Sequence, residues 1–255
     1  MGLLEGKKAL IFGVANDKSI AWAIAEAFKK EGASLAFAYN GDMLAKRVIP
    51  LAESIGADMV LQCDVRNDDE VAAVFRDVKE RWGGLDILVH SVAFANKDEL
   101  KGSFLNTTRE GFALAMDVSA YSLIALAKEA VPLMSPGGSI LTLSYYGGQK
   151  VFPSYNVMGV AKAALEMSVR YLAESVGGDG IRVNAISAGP LKTLAAAGVG
   201  GFNQIAGIVA DKAPLRRNIN QEEVAGAALY LCSNLARGVT GEVHFVDSGY
   251  NIIGL

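Results

Sequence analysis

Short apolar runs and amphipathic stretches alternate along the whole chain. Ala9-Leu10-Ile11-Phe12 is an apolar run that stops at Gly13. Beyond it Ile20, Ile24, Ala25 and Phe28 recur at helical spacing until Gly32, a residue suited to ending a helix. The same alternation predicts further strands at Ser34–Tyr39, Met59–Gln62, Leu85–Val89, Ser139–Leu143, Arg182–Ile186 and Glu242–Val246. Helices are predicted at Met43–Ile55, Asp68–Trp82, Thr108–Met134, after Tyr155, and at Gln221–Cys232. Val71, Val74, Phe75, Val78 and Trp82 form one stripe, and Asn67 with Glu70 reads as a capping box at its start. The Gly- and Ala-rich stretch Leu194–Ala210 is less regular. Regular β-α alternation with apolar, β-branched strands implies an α/β fold. The expected form is a doubly wound parallel sheet of about seven strands with helices on both faces. No linker, internal repeat or low-complexity segment interrupts it, so residues 1–255 are expected to form a single domain.

Composition narrows the function. With 255 residues, 51% of them hydrophobic, the chain can build a sizeable core. A net charge of −3 without a basic run argues against nucleic acid and against an anionic membrane surface. No apolar run approaches the ~20 residues of a membrane span, and Met1–Lys8 lacks signal-peptide architecture. Cys63 and Cys232 sit in apolar stretches without partners at metal spacing, which reads as buried thiols in a reducing, cytoplasmic compartment. The chain has two histidines, His90 and His244, so neither a His-based triad nor a metal site is expected.

In an open parallel sheet, ligands bind beyond the C-terminal strand ends. At the first, Gly13 permits a tight turn, the following helix offers unpaired N–H groups to a pyrophosphate, and Ser19 adds a hydroxyl. A lone glycine before a helix is equally a common structural turn. Asn40 ends the second strand with a neutral amide suited to a ribose hydroxyl. Asp64 could accept from an adenine amino group or cap the next turn. His90 reads as a packed structural histidine, and the small residues Ser91-Val92-Ala93 suit close packing against a flat ring. Tyr155 and Lys162 stand seven residues apart, so on a helix they share a face, about 10 Å apart along the axis. Pro153 and Ser154 read as the helix entry, which puts Tyr155 near the positive end of the dipole. On this reading the cation favours phenolate character, and the tyrosine exchanges a proton near neutral pH. By spacing alone, a solvated helix face remains the alternative.

Taken together, Asp64-Val65, Tyr155 with its lysine, and Ser187-Ala188-Gly189-Pro190 resemble the short-chain dehydrogenase/reductase family. That family usually has glycines where Asp17 and Ser19 stand, Asn-Asn-Ala-Gly in place of His90-Ser91-Val92-Ala93, and its Tyr and Lys four residues apart rather than seven. These departures resemble its divergent branch, the NADH-dependent enoyl-acyl-carrier-protein reductases of bacterial fatty-acid synthesis. So do Leu143-Ser144-Tyr145-Tyr146-Gly147, the run Tyr155 to Lys162, the run Arg182 to Pro190, Thr108-Arg109-Glu110-Gly111-Phe112 and Gly241-Glu242-Val243. The resemblance spans the chain and implies a Rossmann-like fold.

Position by position, it implies Gly13, Ser19 and Ile20 at the pyrophosphate of NAD and Asn40, Asp64 and Val65 at the adenosine half. Ser91 and Val92 would lie against the cofactor, and Leu191, Lys192, Thr193, Leu194 and Ala195 beside the nicotinamide and phosphates. The substrate side would be Ala95, Tyr145 and Tyr155. The family often has Gln where Asn40 stands, and Gly in some members where Ala93 stands; Tyr146 is assigned to packing. The implied reaction reduces a trans-2-enoyl thioester carried on acyl carrier protein. Tyr155 would donate to the thioester oxygen as negative charge appears there, Lys162 would hold the nicotinamide ribose, and Tyr145 would shape the pocket. Residues 193–210 read as an apolar lid, with an ordinary surface helix as the alternative. The resemblance suggests a homotetramer, with Ile252-Ile253-Gly254-Leu255 at an interface. Two rivals stay open: a ketoreductase or alcohol dehydrogenase of the same broad family, and a cofactor-sensing protein without turnover. Neutral Tyr39-Asn40-Gly41 predicts a preference for NADH over NADPH. Steady-state kinetics with both cofactors check it; equal efficiency with NADPH would mean that Lys46 or Arg47 reaches the site.

Overall fold

The computed structural model describes residues 2–194 and 200–254. Apolar strands and amphipathic helices follow one another as β1 (Lys8–Phe12), α1 (Ile20–Lys30), β2 (Ser34–Tyr39), α2 (Gly41–Ser54), β3 (Met59–Gln62), α3 (Asp68–Trp82) and β4 (Leu85–His90). The second half adds α4 (Arg109–Met116), α5 (Ser122–Ala130), β5 (Met134–Ser144), α6 (Asn156–Gly177), β6 (Arg182–Ala188), α7 (Phe202–Lys212), α8 (Gln221–Cys232) and β7 (Val243–Val246). The strands pair in parallel in the order β3-β2-β1-β4-β5-β6-β7, the Rossmann-like arrangement. The order reverses between β1 and β4, which opens a crevice at their C-terminal ends.

Each face of the sheet carries its own apolar layer. On one, Trp22, Ile24 and Phe28 of α1 and Leu231 of α8 pack with Ile11, Phe37, Val89 and Leu141. On the other, Val74 and Phe75 of α3, Leu123 and Leu126 of α5, and Leu165 and Val169 of α6 pack with Leu10, Leu88, Ile140 and Val183. Burial on both faces is why the strands are apolar throughout rather than alternating.

Three details differ from the sequence expectation. The helix expected to run unbroken over Thr108–Met134 contains a π turn, Asp117–Tyr121, between α4 and α5. Asn67 does accept from the Asp69 and Glu70 amides at 3.1 and 3.3 Å, but the Glu70 carboxylate reaches past it to the Asp64 amide at 2.8 Å. The reciprocal capping box lies instead at Asn220 and Glu223, with bonds of 2.9 and 2.8 Å. Finally, the helical run Arg109–Leu133 is long and apolar enough by length and composition to cross a membrane. Its residues Leu123, Leu126, Ala127 and Ala130 are buried in the sheet-facing layer, so its apolarity serves the core.

Candidate active site

Three glycines let a turn press against α6. Residues Tyr146–Gly148 form a short 3-10 turn after β5. A Cβ on Gly147 would lie 2.5 Å from the Tyr155 ring and 3.0 Å from that of Tyr145. One on Gly148 would meet the Lys162 carbonyl carbon at 3.0 Å, and one on Gly159 the Gly147 carbonyl oxygen at 2.9 Å. Each distance is below ordinary contact, so any larger residue would push the turn away. The approach sets the Tyr145 and Tyr155 rings edge to face, centroids 5.0 Å apart, with Phe152 also 5.0 Å from Tyr145. Tyr155 caps the N-terminus of α6, as expected. Its neighbours Ser154 and Asn156 have φ values of 64° and 40°, a strained, left-handed pair costing on the order of 1–2 kcal/mol per residue.

Around the tyrosines the lining is apolar: Leu100, Ala115, Val157, Met158 and Ala161, with Ala95 packed against them. Behind them lies a polar wall. Lys162 is buried and its Nζ donates to the Leu143 carbonyl at 2.6 Å. His90 is buried, with Nδ1 2.8 Å from the Thr142 hydroxyl and Nε2 2.8 Å from that of Ser122. The buried Glu166 carboxylate accepts from Ser144 Oγ at 2.6 Å and from Gln149 Nε2 at 2.8 Å.

Burial sets the protonation states here. It lowers the Lys162 ammonium to about 8, with the Glu166 charge opposing the fall. It lowers His90 to about 3, helped by the Lys162 charge, so the imidazole is neutral and structural. It raises the Tyr155 phenol well above its ordinary value, and Tyr145 and Glu166 push the same way. Tyr145 is raised as well, by burial and then by Tyr250. The expected shift of Tyr155 toward phenolate is therefore overturned: desolvation dominates, and the residue is a neutral hydroxyl at neutral pH.

The dinucleotide crevice is built at the switch point. Gly13 has φ 98°, and a Cβ there would fall 2.0 Å from the Ser91 carbonyl oxygen, so only glycine allows β1 and β4 to close this corner. Ser19 is the N-cap of α1, but its hydroxyl donates to the Asn16 carbonyl at 2.6 Å and does not cap the helix. Trp22 and Ala23 donate to the Ser19 carbonyl at 3.1 and 3.3 Å, which leaves the Ile20 and Ala21 amides for an anion. Asn40 ends β2 as the N-cap of α2. Beside it Asp64 is gripped by Arg66, with Nε 3.0 and 3.1 Å from the two carboxylate oxygens. Arg66 bonding, with a smaller contribution from Asn40, holds the Asp64 carboxyl below its ordinary value. Arg66, which the sequence alone does not single out, thus sets a cation at this end of the sheet. Val65 is buried, and Ser91 and Val92 are half-buried at the end of β4. Leu191 is buried, Thr193 half-buried, and Lys192 and Leu194 exposed; Ala195 lies outside the described residues.

The structure also brings in residues that spacing did not reveal. Ser119, placed by the π turn, accepts from the Phe94 amide at 2.9 Å and donates to its carbonyl at 3.0 Å, bracing the segment that carries Ala95. Glu166 and Gln149 have no sequence signal as a pair. Gly147, Gly148 and Gly159 read as a close helix–turn contact only once the turn's position is known.

Fold and site together define a dinucleotide-binding protein with buried Tyr155 and Lys162 beside an apolar cluster. The family model described as Enoyl-(Acyl carrier protein) reductase matches residues 13–251. The enoyl-[acyl-carrier-protein] reductase [NADH] of Rickettsia felis is 55% identical over 253 residues, 99% of this chain and 97% of that protein. The crystal structure of the Aquifex aeolicus enoyl-[acyl-carrier-protein] reductase (NADH) superposes with a TM-score of 0.97 at 53% identity, covering 100% of both chains. That of the Anaplasma phagocytophilum reductase in complex with NAD superposes at 0.95 with 51% identity, covering 100% of this chain and 95% of that one. The chain belongs to the enoyl-acyl-carrier-protein reductase family.

The glycine contacts generate a test. Gly147→Ala drives a methyl group into both tyrosine rings. A displacement of about 1 Å at a reacting group costs on the order of 10²-fold in rate. Turnover of the variant is expected to fall by about that factor while thermal unfolding shows a folded protein. Wild-type turnover would mean that the ring geometry is not set by this contact.

Proposed function

We propose that this chain is an NADH-dependent enoyl-acyl-carrier-protein reductase that reduces the trans-2 double bond of enoyl thioesters in fatty-acid elongation. The observation that carries the reading is buried Tyr155, edge to face with Tyr145 in an apolar cluster at the start of the helix that carries buried Lys162. The crevice residues fit the dinucleotide: Gly13 leaves room that a Cβ would fill, and the start of α1 presents amides to the pyrophosphate. Asn40, Asp64 and Val65 would hold the adenosine end, with Ser91, Val92 and residues 191–195 along the rest. Bound NADH supplies the hydride delivered to the β-carbon of the thioester.

The protein's own groups handle the charge that follows. Negative charge gathers on the thioester oxygen, and a neutral phenol in a dry pocket is a strong donor to it. Tyr155 fills that role because burial keeps its proton in place. Lys162, largely protonated near neutral pH, would hold the nicotinamide ribose hydroxyls. Tyr145 packs edge-on against Tyr155, fixes its ring plane and closes one side of the substrate pocket with Ala95.

Residues 193–210 are read as a lid over the acyl chain, within a single domain spanning 1–255. Supporting this, a cavity of about 510 Å³ lies between the 150–154 segment, Gly200 to Ile208 and the C-terminal residues 250–254. Its wall includes Phe152, Ile205 and Ile208. A cytoplasmic homotetramer fits the apolar residues left in the open: Leu105, Tyr121, Tyr171 and, near the C-terminus, Ile252 and Ile253. Leu255 lies outside the described residues.

NADH oxidation with crotonyl and with acetoacetyl thioesters tests the reaction, since turnover of only the second would mean a ketoreductase. Two substitutions test the roles. Lys162→Ala is expected to weaken NADH binding strongly, because a charged donor bond is worth ~1.5–3 kcal/mol. Tyr155→Phe is expected to leave NADH affinity nearly intact and to lower kcat by about 10²-fold or more, as for loss of one oxyanion donor. NADH titration with turnover of both variants decides. Loss of NADH binding in Tyr155→Phe, or undiminished kcat, would remove Tyr155 from the chemistry.

A further inference from the structure

Glu166 is a buried carboxylate that the proposed reaction does not use. It follows Lys162 by four residues, one helical turn, and so shares the face of α6 that looks onto the end of β5. Both of its oxygens are engaged, and the two donors bracket one short segment. Ser144 is the residue before Tyr145, and Gln149 follows the Tyr146–Gly148 turn. The carboxylate therefore ties the start and the end of the Tyr145-bearing segment to the helix that carries Tyr155 and Lys162.

We propose that Glu166 is a positioning residue: it clips the Tyr145 segment onto α6 and sets a buried carboxylate one helical turn from Lys162. This rests on the reading of Tyr155 and Lys162 as the reacting pair. A carboxylate 97% removed from solvent is stable only if hydrogen-bonded and balanced by positive charge, and the Ser144 and Gln149 bonds with the nearby ammonium supply both. Conversely, the ammonium alone in that interior would tend to lose its proton, and Glu166 opposes this. The other groups facing Lys162 do not replace it. His90 on β4 is neutral, and Tyr145 and Tyr155 keep their protons. Glu99, on the turn packed against α6, accepts from the Thr108 hydroxyl at 2.6 Å. Asp117, on the π turn, acts on Arg66.

Two isosteric changes separate the clip from the charge. Glu166→Gln removes the charge and sets one amide against another at Gln149. Gln149→Met cuts one arm of the clip and leaves the carboxylate. Thermal unfolding of both confirms folding, and NADH-dependent reduction of crotonyl thioester by the wild type tests the functional reading on its own. In [13C]lysine-labelled apo protein, the Lys162 signal, assigned with Lys162→Met, is expected to titrate about one pH unit or more lower in Glu166→Gln than in wild type. The alkaline limb of kcat/KM for NADH should move down by the same amount, as expected for a group in the free enzyme. Gln149→Met should lower kcat about 10-fold or more with the limb unmoved. An unchanged Lys162 titration in Glu166→Gln overturns the charge role, and wild-type kcat in Gln149→Met overturns the clip. If Glu166→Gln does not fold, Glu166→Asp replaces it: Lys162 is expected to titrate as in wild type while kcat falls, and wild-type kcat would overturn the proposal. An inactive wild type whose Glu166→Gln variant still shifts the Lys162 titration would fail the functional reading and not this one.

Discussion

The site depends on how closely the turn after β5 can approach α6. Gly147, Gly148 and Gly159 remove the side chains that would hold these two backbones apart. Once they touch, the rest follows. Tyr145 and Tyr155 meet edge to face, Lys162 reaches the Leu143 carbonyl, and Glu166 spans from Ser144 to Gln149. The sheet contributes by fixing the end of β5 between β4 and β6, so the turn has a rigid base to press from.

The same contact dries the site, and dryness decides its chemistry. A lysine near a tyrosine suggests a phenolate when both are pictured in water. Inside this wall the cost of an unsolvated anion dominates, and the phenol keeps its proton. A neutral donor suits a reaction in which charge appears on a substrate oxygen, since the hydroxyl strengthens its bond as that charge develops. His90, in the same wall, is held neutral between Thr142 and Ser122 and serves as packing with hydrogen bonds.

Much of this was legible in the alternation of apolar runs and helical stripes. The strands at Ser34–Tyr39 and Met59–Gln62 and the helices at Asp68–Trp82 and Gln221–Cys232 fall where the pattern puts them, because burial on both faces leaves a strong apolar signal. The Tyr155–Lys162 spacing placed both residues on one helix. The sign of the Tyr155 shift was not legible, since spacing carries no information on solvent access. The π turn was hidden because Asp117 to Tyr121 keep an ordinary helical pattern, and only the contacts of Ser119 and Ser122 reveal the change in winding. Glu166 looked like any polar residue in a helix until β5 was laid against it. At Asn67 the sequence reads as a capping box; Asn67 does cap α3, but the Glu70 carboxylate takes the Asp64 amide, six residues earlier, instead of its own N-cap.

The central claim is that Tyr155 acts as a buried, neutral hydroxyl rather than as a phenolate. Ultraviolet absorbance distinguishes the two forms directly. The measurement is the pH titration of the wild-type spectrum minus that of Tyr155→Phe in the apo protein. The account predicts no phenolate signal from Tyr155 below about pH 10, the value of an unperturbed tyrosine. A phenolate band that appears between about pH 7 and 9 would contradict it, and would return the site to a charged tyrosine poised by Lys162.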